Sequence, residues 1–93
     1  MEITFDPAKN ERNIRERGLS FERAAEFDFD NSRRSIDARR DYGEIRHVAV
    51  GYLEQRLHVL CFVETATGIR IISFRRANRK EMRRYENAQA AYR

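Results

Sequence analysis

Three apolar runs, separated by two short polar turns, constrain the fold more than any other feature of this chain. The runs are His47 to Leu53, Leu57 to Glu64 and Ile69 to Arg75, and Val, Ile, Leu, Phe and Tyr are frequent in all of them. Short β-rich runs joined by short turns predict an antiparallel meander of three strands. Because apolar residues occur at both parities of each run, we expect both faces of the sheet to be at least partly covered.

Helix signals precede this meander. Asp6 followed by Pro7 is typical of a helix start, and Gly18 is typical of a helix end, so the sequence predicts a helix over residues 7–17. Ser20 predicts the N-cap of a second, short helix directly afterwards. A short strand that holds Ile3 and Phe5 is expected before the first helix.

Another helix is predicted after the meander. Asn78 and Glu81 have the spacing of a capping box, in which each residue's side chain accepts a hydrogen bond from the other's backbone N–H. One helical stripe follows and is interpreted mainly as a packing face. It consists of Met82, Tyr85, Gln89 and Tyr92.

Residues 28–44 are polar and irregular, with a strand expected only around residues 35–40.

Helices before and after a meander predict one α+β domain over residues 1–93, in which a small antiparallel sheet packs against the N-terminal helices and a C-terminal helix follows.

Positive charge collects in the last third of the chain. Residues 65–93 contain eight Lys or Arg and two acidic residues, whereas the first 64 residues contain 11 basic and 13 acidic ones. Seventeen of the 19 basic residues are Arg, whose planar guanidinium binds phosphate through paired hydrogen bonds and stacks on bases. A surface of this kind favours a polyanionic partner, above all a nucleic acid.

Several other classes of protein are disfavoured. No apolar run approaches the roughly 18 residues that a membrane-spanning helix needs, and the N-terminus has no basic segment followed by an apolar one, as a signal peptide would. The single cysteine, Cys61, lies in an apolar run and is interpreted as a buried, inert thiol. No Cys or His spacing resembles a zinc site, so we expect no metal or cofactor, and a cytoplasmic location.

Four motifs occur in order along the chain and carry a resemblance. They are Phe5-Asp6-Pro7-Ala8-Lys9 with Asn13, Gly18-Leu19-Ser20-Phe21-Glu22 with Ala24, Glu44-Ile45-Arg46 with Gly51, and Ile69-Arg70-Ile71-Ile72-Ser73-Phe74-Arg75-Arg76-Ala77 with Arg83-Arg84-Tyr85-Glu86. With these motifs the chain resembles BrnT-type toxins of bacterial type II toxin–antitoxin systems. The resemblance implies a RelE-like fold, an endoribonuclease activity that inhibits translation, and neutralisation by a cognate antitoxin that also carries a DNA-binding domain.

A metal-free ribonuclease of this kind works by attack of the ribose 2′-OH on the adjacent phosphorus. The reaction needs removal of the 2′ proton, stabilisation of the charge on the phosphorane, and protonation of the leaving 5′ oxygen. RelE-like enzymes rely on basic side chains for this chemistry. The catalytic candidates in this sequence are Lys9, Arg46, Arg70 and Arg75, and the RNA-binding candidates are Arg79, Arg83, Ser73 and His47.

The positions of two arginines in the last strand conflict with a shared site. Arg70 and Arg75 are five residues apart, so on a regular strand they face opposite sides of the sheet. Either a β-bulge realigns them or only one of them lines the site; we favour Arg75, with Ser73 beside it. His58 lies among apolar residues and is interpreted as structural, whereas His47 is left open between a surface residue and a site residue.

Two other functions remain open from the residues alone. The chain could be a nucleic-acid-binding module without catalysis, because phosphate affinity does not require turnover. It could also be a protein-interaction domain whose positive face binds an acidic partner.

Overall fold

The computed structural model describes residues 1–91 of the chain, and within them the elements form an α+β fold, as predicted. The strands are β1 (Glu2–Phe5), β2 (Arg33–Ile36), β3 (His47–Leu53), β4 (Arg56–Glu64) and β5 (Gly68–Arg76). The helices are α1 (Pro7–Arg17) and α2 (Arg79–Ala91), and a 3₁₀-helix spans Phe21–Glu26.

The strands form one mixed sheet in the order β1-β5-β4-β3-β2. The antiparallel pairing of β3 with β4 and of β4 with β5 confirms the predicted meander. The prediction of a purely antiparallel sheet is wrong, because β1 pairs in parallel with β5, with Glu2 opposite Gly68. A strand of four residues carries no sequence signal for the direction of its neighbour, which is set by the path of the whole chain.

The strand expected around residues 35–40 is shorter and begins earlier, at Arg33–Ile36. It pairs antiparallel with β3 and forms the far edge of the sheet. Beyond it, Asp37 accepts hydrogen bonds from Arg39 and from the hydroxyl of Tyr42. These local hydrogen bonds compete with strand pairing, so the chain forms a loop up to β3.

One face of the sheet carries the hydrophobic core, which the segment after α1 covers. Asp6 caps the start of α1, where its carboxylate accepts a hydrogen bond from the backbone N–H of Ala8, and Gly18 caps the end in the left-handed conformation, as predicted. The buried residues of this layer are Leu19, Phe21, Ala24 and Phe27 on the helical side and Ala49, Leu53, Leu60, Phe62, Ile69, Ile71 and Phe74 on the sheet.

Asn13 ties α1 to the sheet. Its side-chain amide donates to the carbonyl oxygens of Leu19 and Phe74, each at 2.9 Å. β1 pairs with β5 only as far as Ile71. Beyond Ile71, the edge of β5 is contacted by α1, through the hydrogen bond from Asn13 to Phe74. The first turns of α1 are therefore held next to the second half of β5.

The opposite face of the sheet is open over much of its area, and α2 covers one end of it. Tyr85 is buried and donates its hydroxyl to the carbonyl oxygen of Asn31 at 2.8 Å. Met82 is half-buried and Gln89 is exposed, so the predicted stripe packs only in part, and Tyr92 lies outside the described residues. None of the helices within residues 1–91 is long and apolar enough to cross a membrane.

Candidate functional site

A β-bulge in β5 resolves the conflict between Arg70 and Arg75. Cys61 of β4 lies opposite Ser73, but the next residue, Phe62, lies opposite Ile71, so Ile72 is an extra residue in β5. The bulge shifts the alternation of side chains by one position. The two arginines consequently lie on the same, open face of the sheet, as the first alternative predicted. Of the two, only Arg75, with Ser73 beside it, lines a pocket on that face, as the favoured second alternative predicted.

Three of the candidate residues line one pocket on this open face. The pocket has a volume of about 430 Å³ and contains Arg46, Ser73 and Arg75. A neighbouring pocket of about 410 Å³ contains Lys9 of α1 and shares Ile72 and Ser73 with the first. Lys9 and Arg75 therefore approach the bulge from its two sides.

Arg75 is held in place by Glu81 of α2. Its two terminal nitrogens, Nη1 and Nη2, donate to the two carboxylate oxygens of Glu81, each at 2.8 Å. Glu81 also accepts from the backbone N–H of Asn78, while the Asn78 side chain accepts from the backbone of Glu81, which confirms the predicted capping box. The hydrogen bonds from Arg75 lower the pKa of Glu81, so the carboxylate is ionised at neutral pH.

A second carboxylate, Glu44, holds the other two arginines. Nη2 of Arg70 donates to both of its oxygens, at 2.7 and 2.8 Å, and Nε of Arg46 donates to one of them at 3.3 Å. Arg70 is the main cause of the lowered pKa of Glu44. The Arg46 guanidinium also lies 4.1 Å above the ring of Tyr42. The hydrogen bond from Nε to Glu44 and the contact with the Tyr42 ring thus hold the Arg46 guanidinium in place. Among the described residues, its terminal nitrogens have no hydrogen-bond acceptor.

Arg70 lines neither of the two pockets, and the remaining three candidates do not line them either. His47 pairs with Phe62 on the core face of the sheet, stacks on its ring at 5.4 Å, and lies 3.7 Å from Glu64. Arg79 and Arg83 are exposed on α2 and line neither of the two pockets at the bulge. Of the four RNA-binding candidates, only Ser73 is brought together with the catalytic candidates.

His58 and the single cysteine, Cys61, are both buried. His58 is buried, its Nδ1 lies 2.8 Å from the carbonyl oxygen of Arg56, and burial lowers its pKa, which confirms the structural interpretation. Cys61 is also buried, as expected, but on the open face, where it lines the pocket of Arg75. Burial raises the pKa of its thiol, which stays protonated at neutral pH. Residues 1–91 contain no group of three or more His, Cys, Asp or Glu side chains that could hold a metal ion.

Sequence reasoning missed the groups that orient the arginines. Glu81 was recognised as a cap, but nothing in its spacing shows that its carboxylate also reaches Arg75. Tyr42 and Glu44 lie within residues 28–44, which the sequence predicts to be irregular. An aromatic residue and a carboxylate close in sequence to Arg46 are the one signal that could have indicated these contacts.

We expect Glu81→Gln to lower the free energy of unfolding by about 1 kcal/mol at pH 7. Glutamine keeps the cap to Asn78 but loses the charge opposite Arg75, whose side chain is 35% exposed, so solvent screening limits the loss. A lowered pKa in the folded state means that Glu81 stabilises the fold above its ordinary pKa of 4.5, and that this contribution is lost as the pH falls below that value.

Urea denaturation of both proteins at pH 7 and at pH 3 measures this effect. The difference between wild type and Glu81→Gln should shrink at the lower pH. Glu86→Gln, at an exposed position on the same helix, is the control and should change little at either pH. A difference that stays constant over this range would contradict the ion pair.

Guanidinium groups thus cluster in one pocket beside the bulge, an ammonium group lines the next pocket, and two carboxylates orient the guanidinium groups. The fold that holds them contains the motifs noted in the sequence. A family model described as the ribonuclease toxin BrnT of type II toxin–antitoxin systems matches residues 5–81. No curated protein matches the chain significantly. The matched range includes Lys9, Arg46, Arg70, Arg75 and Glu81. With most of its length matched, including every catalytic candidate, this chain belongs to the BrnT family of ribonuclease toxins.

Proposed function

We propose that this BrnT-family ribonuclease cleaves RNA without a metal ion, at the pocket beside the β5 bulge. The ribose 2′ oxygen attacks the adjacent phosphorus and loses its proton, and the bond from phosphorus to the 5′ oxygen breaks. The products are a 2′,3′-cyclic phosphate and a 5′-hydroxyl end. The observation that carries this proposal is the pocket beside the bulge, which is lined by Arg46, Ser73 and Arg75 and adjoins a pocket lined by Lys9.

Arg75 is the main cation that stabilises the phosphorane. Glu81 and the carbonyl oxygen of Arg76 occupy only part of the N–H donors of its guanidinium, so others remain for a phosphate oxygen. Because Glu81 fixes the guanidinium before substrate binds, little reorganisation is needed when negative charge develops in the transition state.

Arg46 and Arg70 add positive charge along the same face. One carboxylate, Glu44, is shared between the two guanidinium groups, so a net positive charge remains for the RNA backbone. Lys9 is assigned to the leaving group: an ammonium beside the bulge can donate a proton to the departing 5′ oxygen.

The family membership supports three further proposals. The fold is RelE-like, with an open basic face on its sheet. The inhibitory partner is a cognate antitoxin that covers this face and carries its own DNA-binding domain. The toxin acts in the cytoplasm, on the RNA used in translation.

Incubation of the purified protein with single-stranded RNA in excess EDTA tests the reaction, both with and without ribosomes. We expect cleavage that yields cyclic phosphate and 5′-hydroxyl ends, and no cleavage of an oligonucleotide without 2′-hydroxyls. Cleavage that EDTA abolishes and magnesium restores would contradict the metal-free mechanism. RNA that stays intact while it binds in a salt-sensitive way would favour the non-catalytic binding module instead.

A further inference from the structure

A third pocket extends the candidate catalytic pocket across the open face of the sheet. It has a volume of about 320 Å³ and shares Val48 and Glu81 with the pocket of Arg75. The two pockets are therefore adjacent on the same face, and together they are called the groove. Arg33 of β2 and Arg84 of α2 line the new part of this groove.

Arg33 lies in the same row of paired residues as Arg75. Arg33 is opposite Val50, Val50 is opposite Val59, and Val59 is opposite Arg75. Three strand spacings of about 4.8 Å separate the Cα atoms of the two arginines by about 14 Å. Stacked nucleotides follow one another at about 3.4 Å along a strand, so this distance corresponds to a few nucleotides.

Arg33 and Arg84 also differ from the arginines of the catalytic pocket in having free guanidinium groups. Among residues 1–91, neither forms an ion pair, and both are exposed. The neighbouring Arg34 is different, because its side chain pairs with Glu64 at 3.1 Å and lies over the ring of Phe62 on the core face. Arg33 and Arg84 are thus available for an anion in the groove.

The floor between these arginines is apolar. Val48 and Val50 are half-buried there, so they can contact the faces of bases or riboses while cations at the rim bind phosphates. Separated cations beside an apolar floor match the alternation of phosphate and base along RNA. An acidic protein segment would form ion pairs with these cations, but it would gain little binding energy from the spacing between the cations and the apolar floor.

We propose that Arg33 and Arg84 form a second phosphate subsite, which binds the backbone of the same RNA molecule a few nucleotides from the scissile bond. This subsite rests on the proposed catalytic role of the Arg75 pocket. It supplies binding energy away from the reacting phosphate, so it acts on substrate affinity and not on the chemical step.

Fluorescence anisotropy with a ten-nucleotide 2′-O-methyl RNA, which 2′-OH attack cannot cleave, tests this subsite. We expect Arg33→Ala and Arg84→Ala each to raise Kd about tenfold and to reduce the salt dependence by about 0.7 in log–log slope. Affinity for a 2′-O-methyl dinucleotide, which is too short to reach the subsite, should not change. In cleavage assays, KM should rise while kcat is unchanged.

Two further variants provide the comparison. Arg15→Ala removes a positive charge from an exposed position on α1, and Lys80→Ala removes one from an exposed position on α2. Both should weaken binding of the ten-nucleotide RNA much less than Arg84→Ala does. Equal losses in all four variants would mean that overall charge, and not the groove, binds the RNA.

Other results would also overturn the subsite. Arg33→Ala and Arg84→Ala could leave RNA affinity unchanged but weaken the complex with the antitoxin, in which case the groove is a protein interface. A wild-type protein that does not bind the ten-nucleotide RNA would exclude the subsite as well. The catalytic proposal is tested separately, since it predicts loss of cleavage in Arg75→Ala whatever the result at Arg84.

Discussion

Arg75→Ala is expected to slow RNA cleavage by roughly 100- to 1,000-fold, the usual cost of removing one fixed group that stabilises transition-state charge. Arg75 lines the pocket at the bulge, and Glu81 holds its guanidinium through two hydrogen bonds of 2.8 Å. Single-turnover cleavage with saturating RNA measures the effect. Induction of the variant in bacteria should no longer inhibit growth.

Arg76→Ala is the matched control for this experiment. Arg76 is the next residue of β5, is exposed, and lies opposite His58, outside the candidate catalytic pocket. Both variants lose one positive charge from the same strand, so a general electrostatic effect would appear in both. Circular dichroism checks that each variant is folded. A folded Arg75→Ala protein that cleaves as fast as Arg76→Ala would exclude Arg75 from catalysis.

Features that depend on neighbours in sequence could be predicted. The start of α1 at Asp6, its end at Gly18 and the capping box of Asn78 with Glu81 are all confirmed, because each involves residues a few positions apart. The three strands of the meander are confirmed to within one residue at their ends, since short turns leave little choice in how they pair.

Features that depend on distant pairing could not be predicted. The extra residue Ile72 becomes visible only when β4 and β5 are aligned, and it decides whether Arg70 and Arg75 share a face. The contact of Arg70 with Glu44 joins residues 26 positions apart. The parallel pairing of β1 with β5 likewise depends on how the intervening chain folds.

The position of His47, in contrast, could have been inferred more sharply. Successive residues of a strand point to opposite faces, so Arg46 and His47 could line the same pocket only if the chain were irregular there. In the structure, Arg46 lines the pocket on the open face and His47 stacks on Phe62 on the core face. We therefore expect His47→Ala to leave the rate of the cleavage step unchanged.

Phe74→Ala is expected to lower the free energy of unfolding by about 3–5 kcal/mol, the range found when a buried aromatic side chain is removed from a core. Phe74 has no solvent exposure and makes an edge-to-face contact with Phe27, at 6.1 Å between ring centroids. Small domains have total stabilities of about 5–15 kcal/mol, so this loss would leave a substantial fraction of the protein unfolded on warming.

Urea and thermal denaturation measure this loss, and Ile36→Ala is the control. Ile36 is 54% exposed at the edge of the sheet, so its truncation should change stability by no more than about 0.5 kcal/mol. Similar losses in the two variants would contradict the assignment of the core face. Phe74 lies between Ser73 and Arg75 in β5, so the same strand serves both the core and the site. The cleavage activity of Phe74→Ala should therefore fall in proportion to the fraction of protein that is unfolded. Arg75→Ala should instead lose its activity although the protein remains folded.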